Sequence, residues 1–231
     1  MKTGSPSRPT ANSSRPAAGP LSRARFLGAL FAGLALGSGL LAAAAETVPN
    51  IVFFGDSITA GYGLANPDRE AYPARIQSKL DAAGLRYRVV NAGLSGDTTT
   101  GGLARIDWTL RQQVDIFVLA LGGNDGLRGT APSVTEKNLQ GIIDRVRTKY
   151  PQAKIVLTGM QMPDTMGPAY TKAFRELFPA LAEKNKLTLV PFLLEGVGGV
   201  RELNQNDRIH PTAEGAALVA ENVWKVLRPL L

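Results

Sequence analysis

Alternating strand and helix signals across residues 51–227 predict an α/β protein, a three-layer α/β/α sandwich around a five-stranded parallel sheet. Three observations carry this expectation. Short apolar runs alternate with segments of helical periodicity. The runs are apolar throughout rather than at every second residue, as strands covered on both faces must be. Clusters of glycine and small polar residues follow several runs, at the edge where such sheets gather ligands.

The elements follow in order. Ile51-Val52-Phe53-Phe54 is a buried strand stopped by Gly55. Residues 71–83 read as a helix with Ile76, Leu80 and Ala83 on one face. Residues 87–91 form the second strand and 103–113 a helix. Residues 115–121, with Ile116-Phe117-Val118-Leu119 at their centre, form the third strand. Ser133 is expected to cap a helix running to Tyr150, with Glu136 completing a capping box. Residues 154–158, 170–185, 187–190 and 212–227 supply a fourth strand, a helix, a fifth strand and a closing helix. Right-handed crossovers then cover both faces of the sheet.

Composition narrows the function. The chain has 231 residues, which predicts one domain plus an extension. With no cysteine, disulfides, thiol nucleophiles, zinc knuckles and iron–sulfur sites are excluded. With one histidine, a paired-histidine zinc site within the chain is excluded. The net charge of +7 is concentrated at the start: residues 1–45 hold five basic residues and no acid. The remainder is nearly neutral and has no electrostatic reason to bind a nucleic-acid backbone. A basic, Ser/Pro-rich stretch is followed by a 16-residue uncharged run, 26–41, and small residues at Ala43–Ala45. This is the order of a secretory signal peptide. The run is shorter than the roughly 20 residues needed to span a bilayer. Cleavage after Ala45 is expected, leaving residues 46–231 as a single exported domain, periplasmic or secreted, monomeric and without a stable membrane anchor.

The chemistry stands at the strand ends. Gly55-Asp56-Ser57-Ile58-Thr59, Gly93-Leu94-Ser95-Gly96-Asp97 and Gly122-Gly123-Asn124-Asp125 follow the first three strands, and Asp207-Arg208-Ile209-His210-Pro211 precedes the closing helix. Pro211 suits the first position of that helix and biases His210 toward an extended conformation. Asp207 is placed to accept from Nδ1 of His210 and leave Nε2 free as a base, the orienting geometry of a serine triad. Ser57 reads as a nucleophile or as a helix N-cap. The G-x-S-x-G elbow is absent, since Thr59 holds its last position. Ser57 N–H, Gly96 N–H and the Asn124 amide are candidate oxyanion donors. Each glycine also reads as a turn former, and Asn124 as a cap. Four separate segments each supplying a different part favours the joint reading.

In this order, Gly-Asp-Ser, Gly, Gly-x-Asn-Asp and Asp-x-x-His resemble the four blocks of the SGNH (GDSL-type) hydrolases from about Asn50 to the C-terminus. VVNAGLSGDTTTGGLARI and LALGGNDGLRG are similar to the bacterial thioesterase I / lysophospholipase L1 / arylesterase group. The resemblance implies a flavodoxin-like sheet of order 2-1-3-4-5 and a serine esterase. It implies Ser57 as nucleophile, His210 as base, Asp207 as its orienting acid, and Ser57, Gly96 and Asn124 as the oxyanion hole. Gly93 is the alternative to Gly96. Ile58 stands where Leu is usual, and Arg208 sits inside the last block where a smaller residue would leave more room at the mouth.

The expected reaction is hydrolysis of esters and thioesters, from aryl esters to lysophospholipid-type acyl chains, through an acyl-enzyme. No metal or organic cofactor is needed, and the partner is a small-molecule substrate. Met160, Met162 and Phe192, with Met166 and Leu193 nearby, are candidates for lining an acyl groove or for core packing. Two other readings stay open: a carbohydrate acetyl esterase built on the same blocks, and a non-catalytic binding module on the same fold.

Overall fold

The computed structural model describes residues 47–231. The expected signal segment, 1–45, lies outside the described residues. β1 (Asn50–Gly55) is central, with β2 (Arg88–Gly93) on one side and β3 (Ile116–Ala120), β4 (Lys154–Thr158) and β5 (Thr188–Val190) on the other. All pairings are parallel, in the order β2-β1-β3-β4-β5. Gly55 lies opposite both Gly93 and Ala120, so the first three strands end together and their loops open onto one edge.

Eight α-helices accompany the strands among the described residues: α1 (Ser57–Ala60), α2 (Pro67–Glu70), α3 (Tyr72–Ala82), α4 (Thr99–Thr109), α5 (Gly123–Leu127), α6 (Pro132–Lys149), α7 (Pro168–Asn185) and α8 (Ala213–Leu227). α3 packs against α8, and α6 packs against both α4 and α7, giving two separate helix layers, as right-handed crossovers would produce. Ile51, Val52, Phe53 and Phe54 are fully buried between the layers. Burying each such large side chain contributes roughly 1.5–3 kcal/mol. β2 is one of the two edge strands, and its residues are half-buried or exposed.

Two glycines seat α1 directly on the strand ends. A Cβ on Gly93 would lie 2.3 Å from Ala60 N, and one on Gly55 2.0 Å from Thr59 Oγ1. Gly93 therefore has a packing reason of its own. Thr59, in place of the elbow glycine, is buried and lies 2.9 Å from the Tyr72 hydroxyl.

Three expectations about helix starts are corrected. The helix expected at 103–113 is α4, which begins at Thr99, because Thr98 caps it by accepting from Gly101 N at 3.3 Å. The Gly101-Gly102 pair disguises its first turn; Gly102 is needed because a Cβ there would meet Leu121 Cδ1 at 2.4 Å. Ser133 does not cap α6. Pro132 occupies its first turn with Ala131 before it, so the capping box with Glu136 does not form. Pro211 does not start the closing helix. Thr212 caps α8 through Gly215 N at 3.2 Å, and Pro211 pairs with Asn204 in an isolated antiparallel bridge.

Candidate active site

Asp56, not Ser57, caps α1, accepting from Ile58 N at 3.0 Å. Ser57 is thereby the first residue of α1, at the end of a fully buried strand. Its Oγ lies 2.8 Å from His210 Nε2. His210 Nδ1 lies 2.6 Å from Asp207 Oδ2. Asp207 Oδ1 accepts from the backbone N–H groups of Ile209 at 2.9 Å and His210 at 3.0 Å, so the Asp-x-x-His turn is held by the carboxylate itself. With Nδ1–H donating to Asp207, Nε2 is left to accept from the Ser57 hydroxyl. The Tyr62 ring packs against the imidazole, with centroids 4.7 Å apart.

The two aspartates respond oppositely to their surroundings. Burial pushes the Asp56 carboxyl up to about 6, against the hydrogen bond from Ile58 and the attraction of His210. Partial desolvation also raises Asp207, but its hydrogen bonds from the His210 ring and from the His210 and Ile209 amides outweigh that and bring it down to about 2.

Asn124 is the second residue of α5, where the chain turns out of β3 through Gly122 at φ +120°. Its Nδ2 donates to Asp97 O at 2.8 Å, which fixes the amide against the loop after β2 instead of capping its own helix. Gly96, in that loop, has φ +80°, and a Cβ there would meet only Arg128 Nη2 at 3.9 Å. The Gly96 carbonyl accepts from Arg128 Nη2 at 3.0 Å. Among the described residues, the Ser57 and Gly96 amides donate to no protein acceptor. The loop is tied down by Arg105, whose Nε donates to Asp97 Oδ2 at 2.7 Å and Nη2 to Gly55 O at 3.0 Å. The same guanidinium lies 3.9 Å over the Phe54 ring. Asp125 completes the tie from α5: its Oδ2 accepts from Thr99 N at 2.8 Å and its Oδ1 from Thr99 Oγ1 at 2.5 Å.

Ser57, His210 and Asn124 border a cavity of about 410 Å³, within the usual size of small-molecule sites. Met160, Met162 and Phe192 all line it. Met160 and Met162 are also core residues, and a Cβ on Gly126 would collide with the Met162 sulfur at 2.1 Å. Leu193 and Met166 are not in the wall; Leu193 is buried and Met166 packs on the core from outside the cavity. Ile58 lines the cavity and also packs on the core. Sequence reasoning missed Asp56, Leu127, Leu194 and Ile209 as neighbours of the site. Asp56 had a signal, since it sits inside the first block, but its burial depends on α1 lying close over β1 and β2. Leu127 and Ile209 stand inside the quoted segments LALGGNDGLRG and Asp207–Pro211, with nothing there to mark them as lining. Among the described residues no group of three or more metal-ligating side chains occurs, and no helix is long and apolar enough to cross a membrane.

A parallel 2-1-3-4-5 sheet that carries a Ser–His–Asp hydrogen-bonded chain at its carboxyl edge defines the SGNH class of hydrolases. Residues 53–218 match the model of the GDSL-like Lipase/Acylhydrolase family, and the chain belongs to that family. It is 44% identical to esterase TesA of Pseudomonas aeruginosa over 82% of this chain and 91% of that protein. It is 38% identical to thioesterase 1/protease 1/lysophospholipase L1 of Escherichia coli K12, over 82% of this chain and 87% of the other. The crystal structure of TesA superposes with a TM-score of 0.74 at 43% identity, covering 79% of this chain and 99% of that one. The chain is accordingly an SGNH-family hydrolase acting on small-molecule esters.

Proposed function

We propose that residues 46–231 form a single exported serine esterase that hydrolyses carboxylic esters and thioesters through an acyl-enzyme on Ser57. The Ser57–His210–Asp207 chain, with contacts of 2.8 and 2.6 Å, carries this reading. His210 Nε2 takes the hydroxyl proton as Ser57 Oγ bonds to the carbonyl carbon. The oxyanion is held by the Ser57 and Gly96 amides and by the second N–H of Asn124 Nδ2. The tetrahedral species collapses, the bond to the leaving oxygen or sulfur breaks, and His210 returns the proton to that atom. Water then attacks the acyl-enzyme, giving its proton to His210. The acid departs and Ser57 recovers its proton. Asp207 holds the imidazole orientation and stabilises the imidazolium.

The apolar wall of Met160, Met162 and Phe192 supports an acyl group longer than acetyl in the 410 Å³ cavity. The names of the relatives, esterase and thioesterase/lysophospholipase, agree with that choice of substrate. The basic-then-apolar order of residues 1–45 supports removal of that segment on export.

The test treats the full-length protein and its Ser57→Ala variant with a fluorophosphonate probe and weighs both intact. The parent is expected to gain one adduct and lose turnover of p-nitrophenyl esters; the variant is expected to gain none. A folded parent with no adduct and no ester turnover would replace this reading with a binding module. Turnover confined to acetyl esters would instead favour the carbohydrate esterase. The mass of the protein recovered from the periplasm or medium reads the cleavage point near Ala45.

A further inference from the structure

The cavity beside Ser57 is mostly apolar, yet one cation is built into its rim. Arg208 lines it, between Asp207 and His210. The residue is exposed, and among the described residues its side chain makes no hydrogen bond and no ion pair. Other arginines around the site are engaged. Arg105 is held by Asp97 and Gly55, and Arg128 by Gly96. Asp56, the carboxylate in the same wall, is buried and occupied with Ile58 N. Asp207, next in the chain, is occupied by the His210 ring and two backbone amides.

The backbone at Arg208 adds a second observation. Its φ is +60°, the left-handed region that disfavours any residue with a Cβ. The turn needs this conformation. Arg208 N–H donates to Gln205 O at 2.8 Å, and the reversal lets one Asp207 oxygen reach the amides of 209 and 210 while the other reaches the imidazole. Glycine would adopt this conformation without strain. An arginine here brings backbone strain to the mouth of the site, where strain marks a functional demand more often than elsewhere. A guanidinium beside an apolar wall suits carboxylate or phosphate, which it binds through a planar fork of donors.

We propose that Arg208 forms an anion subsite of the esterase, selecting substrates in which the ester or thioester carries a carboxylate or phosphate group. This rests on the esterase reading of the same site and names its substrate class. The anion can stand on the acyl chain or on the leaving group, and matched substrates separate the two.

The experiment measures kcat/KM for the full-length parent and for Arg208→Gly, Arg208→Lys and Arg208→Glu on two pairs. p-Nitrophenyl butyrate against mono-p-nitrophenyl glutarate probes a charge on the acyl side. Phenyl butyrate against 4-carboxyphenyl butyrate probes a charge on the leaving group. The readout is the anionic-to-neutral ratio, so a general loss from disturbing Asp207 or His210 cancels. In one pair the ratio is expected to fall about tenfold in Arg208→Gly, as for loss of a charge-assisted hydrogen bond. It should recover in part in Arg208→Lys and fall further in Arg208→Glu. The parent's ratio should also drop between 20 and 500 mM salt, since an exposed charge is screened. Ratios unchanged in both pairs, with the neutral esters still hydrolysed, would overturn the subsite and leave the esterase standing. A parent that hydrolyses none of the four would remove the esterase reading and the subsite together.

Discussion

The candidate site is assembled from two unlike halves. The nucleophile half, named for the proposed role of Ser57 and comprising Ser57, Gly96 and Asn124, sits at the ends of β1, β2 and β3, of which β1 and β3 are fully buried. Its parts are locked by close glycine approaches and by buried polar ties through Asp97 and Asp125. The base half, residues 201–211, is irregular and mostly exposed. It is held by hydrogen bonds, chiefly those of Asn204 and Gln205. The two aspartates express the contrast. Burial dominates at Asp56 and raises its pKa; hydrogen bonds dominate at Asp207 and lower it. A serine–histidine pair is thus built across a buried floor and a hydrogen-bonded loop, joined by one short contact, Ser57 Oγ to His210 Nε2.

If the two halves act as one unit in the reaction, removing either should be equally damaging. Ser57→Ala and His210→Ala are each expected to lower kcat by about 10⁴–10⁶, and the double variant by no more than the worse single. Multiplicative losses in the double variant would show that the halves contribute separately. Asn124→Ala is expected to lower kcat by about 10²–10³ with a much smaller change in KM, because in the proposed mechanism its second N–H holds charge that exists only in the transition state. An effect confined to KM would make Asn124 a ground-state binding group and weaken the role of the rigid half.

The aspartates offer a sharper test through stability. A carboxyl raised from 3.8 to about 6 binds its proton more tightly in the folded state. Stability therefore declines as pH rises between those values, and the penalty is complete above about 6. Asp56→Asn keeps an N-cap oxygen and does not titrate. Relative to the parent, it should gain about 3 kcal/mol between pH 3.5 and pH 8, read by urea unfolding. Asp207 has the opposite sign. Its contribution is present above the ordinary carboxylate range and is lost as pH falls toward about 2. A constant difference between parent and Asp56→Asn across that range would mean that Asp56 is not desolvated.

The same contrast decides what could be read in the sequence. The nucleophile half was legible because each candidate follows the end of a strand by two to four residues, and Ile51–Phe54 and β3 are apolar without interruption. His210 was legible from its spacing to Asp207. The burial of Asp56 was not, because it depends on α1 pressing onto Gly55 and Gly93 across strands far apart in sequence. The start of α4 was hidden by Gly101-Gly102, which look like a turn until Leu121 is seen to need the space. At α6 a serine looked like a cap, but proline one residue earlier had already set the helical φ. Leu127 and Ile209 gave no signal, since neither periodicity nor spacing tells which loop residue turns toward a cavity.

The base half remains the place where a single buried residue should matter for geometry more than for the core. Asn204 is buried, and its Nδ2 donates to Val197 O at 2.6 Å and Val200 O at 2.7 Å. It also pairs with Pro211, next to His210, in an antiparallel bridge. Asn204→Ala removes two side-chain donors, but both carbonyls keep a backbone partner, Val200 N for one and Leu203 N for the other. The global cost should therefore be modest, about 1–2 kcal/mol by thermal or urea unfolding. The local cost should be larger: hydrogen exchange across residues 201–211 should speed up well beyond that in β1 and β3, and kcat should fall as His210 loses its fixed distance to Ser57. Equal loss of protection in β1 would show that the loop and the sheet unfold together, and that the two halves are one cooperative unit despite their different construction.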